Sequence, residues 1–129
     1  MSDVKLYSQD EAVKMLPIVK RMLKDLRERR DALAAQQTKI DVERVTGASP
    51  VVMHRFLKEL HQLGASFHER MEAFHALGIE LKDLDTGLVD FYSMRDGELI
   101  YLCWKDGERT IGHWHTLAGG FTGRQSLST

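Results

Sequence analysis

The sequence predicts an α+β domain, a long antiparallel helical hairpin followed by a three-stranded antiparallel β-meander. Three observations carry that prediction. Apolar residues recur at spacings of three and four up to Leu77, the one breaker cluster in that part is Thr46-Gly47-Ala48-Ser49-Pro50, and Asp-Gly pairs cut the last third into short β-forming runs. The 129 residues suffice for one domain with a real core but not for two.

Ser8-Gln9-Asp10-Glu11 has the residues of a capping box, in which the serine hydroxyl and the Glu11 carboxylate each accept a bond from the other residue's amide. A helix therefore begins there. Pro17 lies more than a turn inside it and lacks the amide that the helical ladder needs, so the expectation is a kink or a split into two helices at that point. Beyond it a heptad-like, coiled-coil stripe follows two interleaved series. Val19, Leu26, Leu33 and Ile40 stay apolar, whereas Met15, Met22, Arg29, Gln36 and Glu43 turn polar, so the seam weakens towards its far end. Gly47 can close this helix, and Ser49 with Pro50 can open the next as N-cap and first residue.

The second helix carries Met53, Phe56, Leu60, Leu63, Phe67, Arg70, Phe74 and Leu77 on one stripe, and Gly78 stops it. The hairpin thus spans 8–46 and 50–77, with paired helices of about 28 residues and about 40 Å each. Arg29 and Arg70 fall on seam positions, where long basic side chains lay their stems on apolar surface and keep their heads in water; a partner's acidic groove is the alternative. His54, His61, His68 and His75 recur every seven residues beside the seam. Seven residues rise about 10.5 Å, too far for neighbouring histidines to share one metal held at about 2.1 Å. Within the stripe His68, Glu72 and His75 have local ligand spacing, Glu72-x-x-His75 being the pattern of bundle di-iron sites, but the second motif such sites need is missing. Packing beside the sheet or at a helix-mediated interface is the expected role.

Residues 77–85 link the hairpin to the sheet. Asp83-x-Asp85-x-Gly87 resembles a calcium loop only briefly, because an EF-hand needs an acid at the fifth position, glycine at the sixth and glutamate at the twelfth, where this chain has Gly87, Leu88 and Met94. An Asx-type turn is expected instead. The meander spans 87–116, with strands Leu88–Tyr92, Leu99–Trp104 and Arg109–Thr116 separated by Asp96-Gly97 and Asp106-Gly107. On the middle strand Leu99, Tyr101 and Cys103 face one side and Ile100, Leu102 and Trp104 the other, so the strand is central and something must cover it. Residues 117–129 form a C-terminal loop and tail, its Gly119–Arg124 stretch folding back over the sheet rather than holding an anion, since the helix and lysine of a P-loop are missing.

Charge narrows the function. A net charge of −1 with interspersed signs gives none of the basic field that nucleic acid requires. The N-terminal residues lack a signal-peptide pattern, no apolar run reaches membrane-spanning length, and one cysteine forms no internal disulfide, so a reducing cytoplasm is the expected setting. The residues left to do chemistry are Asp90, Glu108, His115 and Arg124 as catalytic candidates. His113 and His115 share a strand face and, with Glu108, are the metal candidates; His68, Glu72 and His75 are weaker ones. The cofactor such residues admit is a divalent metal. Cys103 beside a histidine has the makings of a nucleophile pair, but a small apolar residue in a central strand is the expected role.

GLVDF at Gly87–Phe91, LCW at Leu102–Trp104, GE at Gly107-Glu108, WH at Trp114-His115, GF-x-GR ending at Arg124 and EA-x-x-x-LP at Glu11–Pro17 together resemble the bacterial and archaeal family catalogued as domain of unknown function 2203. The resemblance covers nearly the whole chain. Tyr92 stands where the pattern expects a proline, and Gln125-Ser126 replaces a proline-containing tail. The resemblance implies a small cytoplasmic prokaryotic protein and carries over no activity; it draws attention to Asp90, Trp104, Glu108, Trp114, His115 and Arg124 over His113.

Two functions of different class fit these residues. One is a non-enzymatic interaction module that forms a homo-oligomer, a dimer through the helices, because a hairpin with a half-polar seam cannot cover both that seam and its Leu57/Met71 side; another protein partner is the variant of this reading. The other is a small metal-dependent or acid/base hydrolase for an anionic substrate. An enzyme requires the four candidates to converge in one pocket. A Glu108–Arg124 or Asp90–Arg124 pair, with His115 on a backbone carbonyl, instead makes them structural.

Overall fold

The computed structural model describes residues 5–47 and 49–127. Residues 1–4, Ala48 of the helix-to-helix turn and residues 128–129 of the expected tail lie outside the described residues. Helices α1 (Gln9–Thr46) and α2 (Pro50–Ala76) form the hairpin. Strands β1 (Ile79–Asp83), β2 (Leu88–Arg95), β3 (Glu98–Lys105), β4 (His113–Thr116) and β5 (Gln125–Ser126) follow in one antiparallel sheet, ordered as in the chain.

The capping box forms: Ser8 Oγ accepts from the Glu11 amide at 3.1 Å, and the Glu11 carboxylate accepts from the Ser8 amide at 2.9 Å. The bond from the Ser8 amide, and then the Ser8 hydroxyl, hold the Glu11 carboxyl below its ordinary range. Pro17 does not split α1, which is a single element of 38 residues, and this decides against the split of the two expected alternatives. An internal proline costs about 3 kcal/mol. Here Ala12 and Leu16 before it, and Val19, Leu23 and Leu26 after it, are buried in one core, so tertiary packing outweighs the local penalty, while Pro17 itself is exposed. Ser49 caps α2 through the Val52 amide at 3.2 Å, with Pro50 in the first turn.

The sheet has five strands rather than three. The stretch expected to be only a linker contains β1, which leaves α2 through Gly78 at φ +77° and pairs Ile79, Glu80 and Leu81 with Phe91, Asp90 and Val89. Its Ile79/Leu81 alternation is two residues long, too short to register as a period. After it Asp83 Oδ1 accepts from the Asp85 amide at 3.0 Å, the expected Asx turn. The stretch expected to be only loop and tail contributes a 3-10 turn (Phe121–Gly123) and the two-residue β5. Asp96 and Gly97 both have positive φ, the signature of a type I′ hairpin. Asp106-Gly107 does not make a second one: seven residues separate β3 from β4, so the third expected strand starts at His113 rather than Arg109.

Gly87 has φ +69°, and a Cβ there would sit 2.5 Å from Asp106 Cβ and 2.8 Å from Arg27 Nη2. The close approach lets the Asp106 amide donate to Gly87 O at 3.0 Å, and it lets Arg27 bind both the Leu84 carbonyl at 3.1 Å and Asp106 at 3.0 Å. Gly87→Ala combines left-handed strain with a clash and is expected to lower stability by about 2 kcal/mol, read as an earlier urea midpoint at unchanged m-value.

One sheet face is apolar. Val89 and Phe91 of β2, with Ile100, Leu102 and Trp104 of β3, pack under Leu16, Val19, Leu23 and Leu26 of α1 and Phe74 of α2. That core takes α1 residues only as far as Leu26 and α2 residues only from Phe67. Beyond this point, past the polar contacts of Arg27 and Arg30 with Leu84, Asp85 and Asp106, the apolar contacts of the described hairpin are between its own two helices. Ile40 and Gln36 are buried between the two helices, Gln36 Nε2 donating to the Phe56 carbonyl at 3.0 Å, while Phe56, Leu60 and Leu63 remain half-buried. Arg29 and Arg70 both turn to Asp25, at 3.1 and 3.8 Å, and Arg29 also donates to Ser66. The four stripe histidines are exposed.

Candidate functional site on the polar face of the sheet

Strand alternation sends every second side chain to the face away from the helices. Glu80, Asp90, Cys103, His113 and Ser126 are successive partners across all five strands, and Tyr92, Tyr101 and His115 make the next row. The neighbouring row on the helix side is Ile79, Phe91, Leu102, Trp114 and Gln125. Among the described residues the two long helices lie on the other face, with His75 at the end of α2 reaching only Glu80 at the β1 edge. The segment after β4 folds back instead, so that Leu117, Ala118, Gly120 and Phe121 join Lys82, Leu88, Asp90, Tyr101 and His115 around a cleft of about 210 Å³.

Asp90, Cys103 and His115 are buried beside that cleft, each no more than 2% exposed. His115 Nε2 lies 3.0 Å from Asp90 Oδ1, and its Nδ1 lies 2.7 Å from the Thr116 carbonyl. A carbonyl only accepts, so Nδ1 carries a proton and donates to Thr116. One further proton then bridges Nε2 and Asp90. Burial pushes the Asp90 carboxyl up, opposed by His115 and then by Lys82. Burial, with the Asp90 charge behind it, pushes the Cys103 thiol up to about 12, against the pull of Arg124. Cys103 is thus a thiol at neutral pH and not the thiolate that nucleophilic catalysis needs.

A second cluster lies along the β4 side. Arg124 Nη2 donates to Glu108 Oε2 at 2.8 Å and to His113 Nδ1 at 2.6 Å, with its guanidinium 4.6 Å from the Phe121 ring. Glu108 also accepts from the Lys105 amide at 2.7 Å, and its carbonyl accepts from Trp104 Nε1 at 3.0 Å. Glu108 therefore ties together the loop after β3, the central tryptophan and the segment leading into β5. Toward the β1 edge Tyr92 donates to Glu80 at 2.5 Å, which holds the Glu80 carboxyl down and the Tyr92 hydroxyl up.

The structure thus brings Asp90 and His115 together and places Glu108, Arg124 and His113 together, but it does not put the four catalytic candidates around one cleft. His113 and His115 share a face, yet His113 Nδ1 is occupied by Arg124. Of the helical candidates, His68 lies 3.8 Å from Glu72, whereas His75 turns to Glu80 at 3.9 Å. Among the described residues, the set of three metal-ligating side chains whose donor atoms lie within 4.8 Å of one another is Asp90, Cys103 and His115. Sequence reasoning set Cys103 apart from Asp90, although the Asp96-Gly97 turn fixes their pairing.

A helical hairpin laid on one face of an antiparallel meander, with a capped polar face opposite, defines the class of protein. The model of a family described as uncharacterized conserved protein, DUF2203, matches residues 5–127, and the chain belongs to that family. No curated protein and no solved structure matches it. Among the described residues no helix is long and apolar enough to cross a membrane.

Proposed function

We propose that this protein is a non-enzymatic, self-associating module whose hairpin pairs with that of a second copy. The observation that carries the reading is the hairpin beyond Leu26 and before Phe67, where, among the described residues, the core shared with the sheet has ended and Phe56, Leu60 and Leu63 stay half-exposed. Val42, Val45, Val51 and Leu57 are exposed towards its tip. The free stretches, residues 27–46 of α1 and 50–66 of α2, are about 30 and about 26 Å long and about 10 Å across, a face on the order of 550 Å², so that two copies together bury about 1,100 Å², just above the roughly 1,000 Å² a specific interface needs. A second hairpin laid against it completes a four-helix arrangement.

The polar face supports the same reading, because Arg124 is neutralised by Glu108 and neither lines the cleft at Asp90 and His115. An anionic substrate there would meet Lys82 alone among the cations lining it. Sedimentation velocity at micromolar concentration is the test. The expected species has twice the chain mass of 14.8 kDa, and Leu57→Glu shifts it to monomer with the helical circular dichroism retained. A wild-type monomer throughout the micromolar range overturns the reading.

A further inference from the structure

The geometry points to a second property, independent of self-association: Asp90, Cys103 and His115 form a buried site for a thiophilic divalent metal, with zinc as the best match. The three side chains come from three adjacent strands, β2, β3 and β4, and reach the same face because Asp90 pairs with Cys103 while His115 stands one row away opposite Tyr101. Their donor atoms, a carboxylate oxygen, a sulfur and an imidazole nitrogen, lie within 4.8 Å of one another. Tetrahedral zinc with ordinary bond lengths holds such donors about 3.3–3.6 Å apart. The Asp90–His115 pair already stands at 3.0 Å, so closing on a metal takes rotamer adjustments and no change of register, and it releases to solvent the Cys103 thiol proton and the proton between His115 and Asp90.

Three further features of the molecule match the requirement. His115 gives Nδ1–H to the Thr116 carbonyl, the bond by which metal-binding histidines are usually oriented, and that leaves Nε2 for the cluster. The cleft of about 210 Å³ reaches Asp90 and His115, so a fourth position has room for water or a small anionic ligand. Lys82, 4.9 Å from the Tyr101 ring, is the cation lining that opening. The site takes oxygen, nitrogen and sulfur together, which favours zinc or cobalt over magnesium or calcium. His113 and Glu108 are left to Arg124 and take no part.

Cobalt(II) titration of the purified, chelator-treated full chain is the test. The chain has a single cysteine, so a thiolate-to-cobalt charge-transfer band in the near ultraviolet can arise only from Cys103. The expected result is one cobalt per chain with that band, intense tetrahedral visible bands, and loss of both on adding equimolar zinc. Cys103→Ser is expected to lose the charge-transfer band, and His115→Gln and Asp90→Asn to lose the tetrahedral spectrum, while His113→Ala keeps all of it. Absence of a thiolate band in folded wild-type protein overturns the site whatever the variants do. Retention of the full spectrum in folded His115→Gln or Asp90→Asn overturns it equally.

Discussion

Trp104→Ala is expected to lower the stability of the chain by about 3–5 kcal/mol, the largest loss from any single truncation considered. Trp104 has no exposed surface, belongs to the central strand, and lies in the core that joins α1 and α2 to the sheet. Its indole nitrogen is also the donor to the Glu108 carbonyl. Domains of this size have about 5–15 kcal/mol of stability in total, so the variant should populate unfolded chain without denaturant or sit close to that point. Trp104→Phe keeps much of the packing while it removes the donor and part of the ring, for an expected loss of about 1–3 kcal/mol. Urea denaturation followed by circular dichroism measures both. Equal losses for Ala and Phe would mean that the hydrogen bond, not the packing, makes Trp104 important.

Asp90→Ala comes next, at about 3 kcal/mol in chelator-treated protein, because it leaves His115 Nε2 buried without its partner and empties space beside Cys103. The companion prediction concerns pH. Burial raises the folded-state carboxyl of Asp90 above its ordinary 3.8, so the folded protein holds that proton more tightly than the unfolded chain. Stability from this group is therefore fully present below 3.8 and is lost as pH rises through the raised folded value. Asp90→Asn removes the proton and keeps the shape. The stability gap between wild type and Asp90→Asn is accordingly expected to move in favour of the variant as pH climbs from 3.8 toward neutrality. Wild-type stability that rises relative to Asp90→Asn over that interval would show that Asp90 is held as an ion, with His115 positively charged.

The hairpin was legible because its signals are local and repeated: a capping box at Ser8, a three-and-four stripe over many turns, and a Gly-x-Ser-Pro junction. Pro17 left two readings open for the opposite reason, a strong local preference that five buried neighbours on α1 overrule. β1 and β5 escaped because strands of five and two residues show no period, and what makes them strands is the ladder of the strand next to them. The site divides the same way. A type I′ turn at Asp96-Gly97 pairs residues whose numbers sum to a constant, so Asp90 opposite Cys103 follows from the sequence by counting back from the turn. His115 does not follow, because a seven-residue loop fixes no register. That Arg124 would meet Glu108 rather than a substrate depended on how the Gly119–Arg124 segment folds back, which no spacing encodes.

The solitary, wholly enclosed thiol of Cys103 makes the molecule its own clock. A thiol reagent cannot reach it in the closed state, so labelling proceeds only as fast as the segment over the polar face lifts or the whole chain unfolds. That segment is fastened by the β4–β5 pairing, by Arg124 to Glu108 and His113, and by the Leu127 amide to the Gly112 carbonyl at 2.9 Å. The labelling rate of the native protein divided by that of the unfolded thiol gives the free energy of the opening, and a native rate faster than global unfolding assigns that opening to the segment.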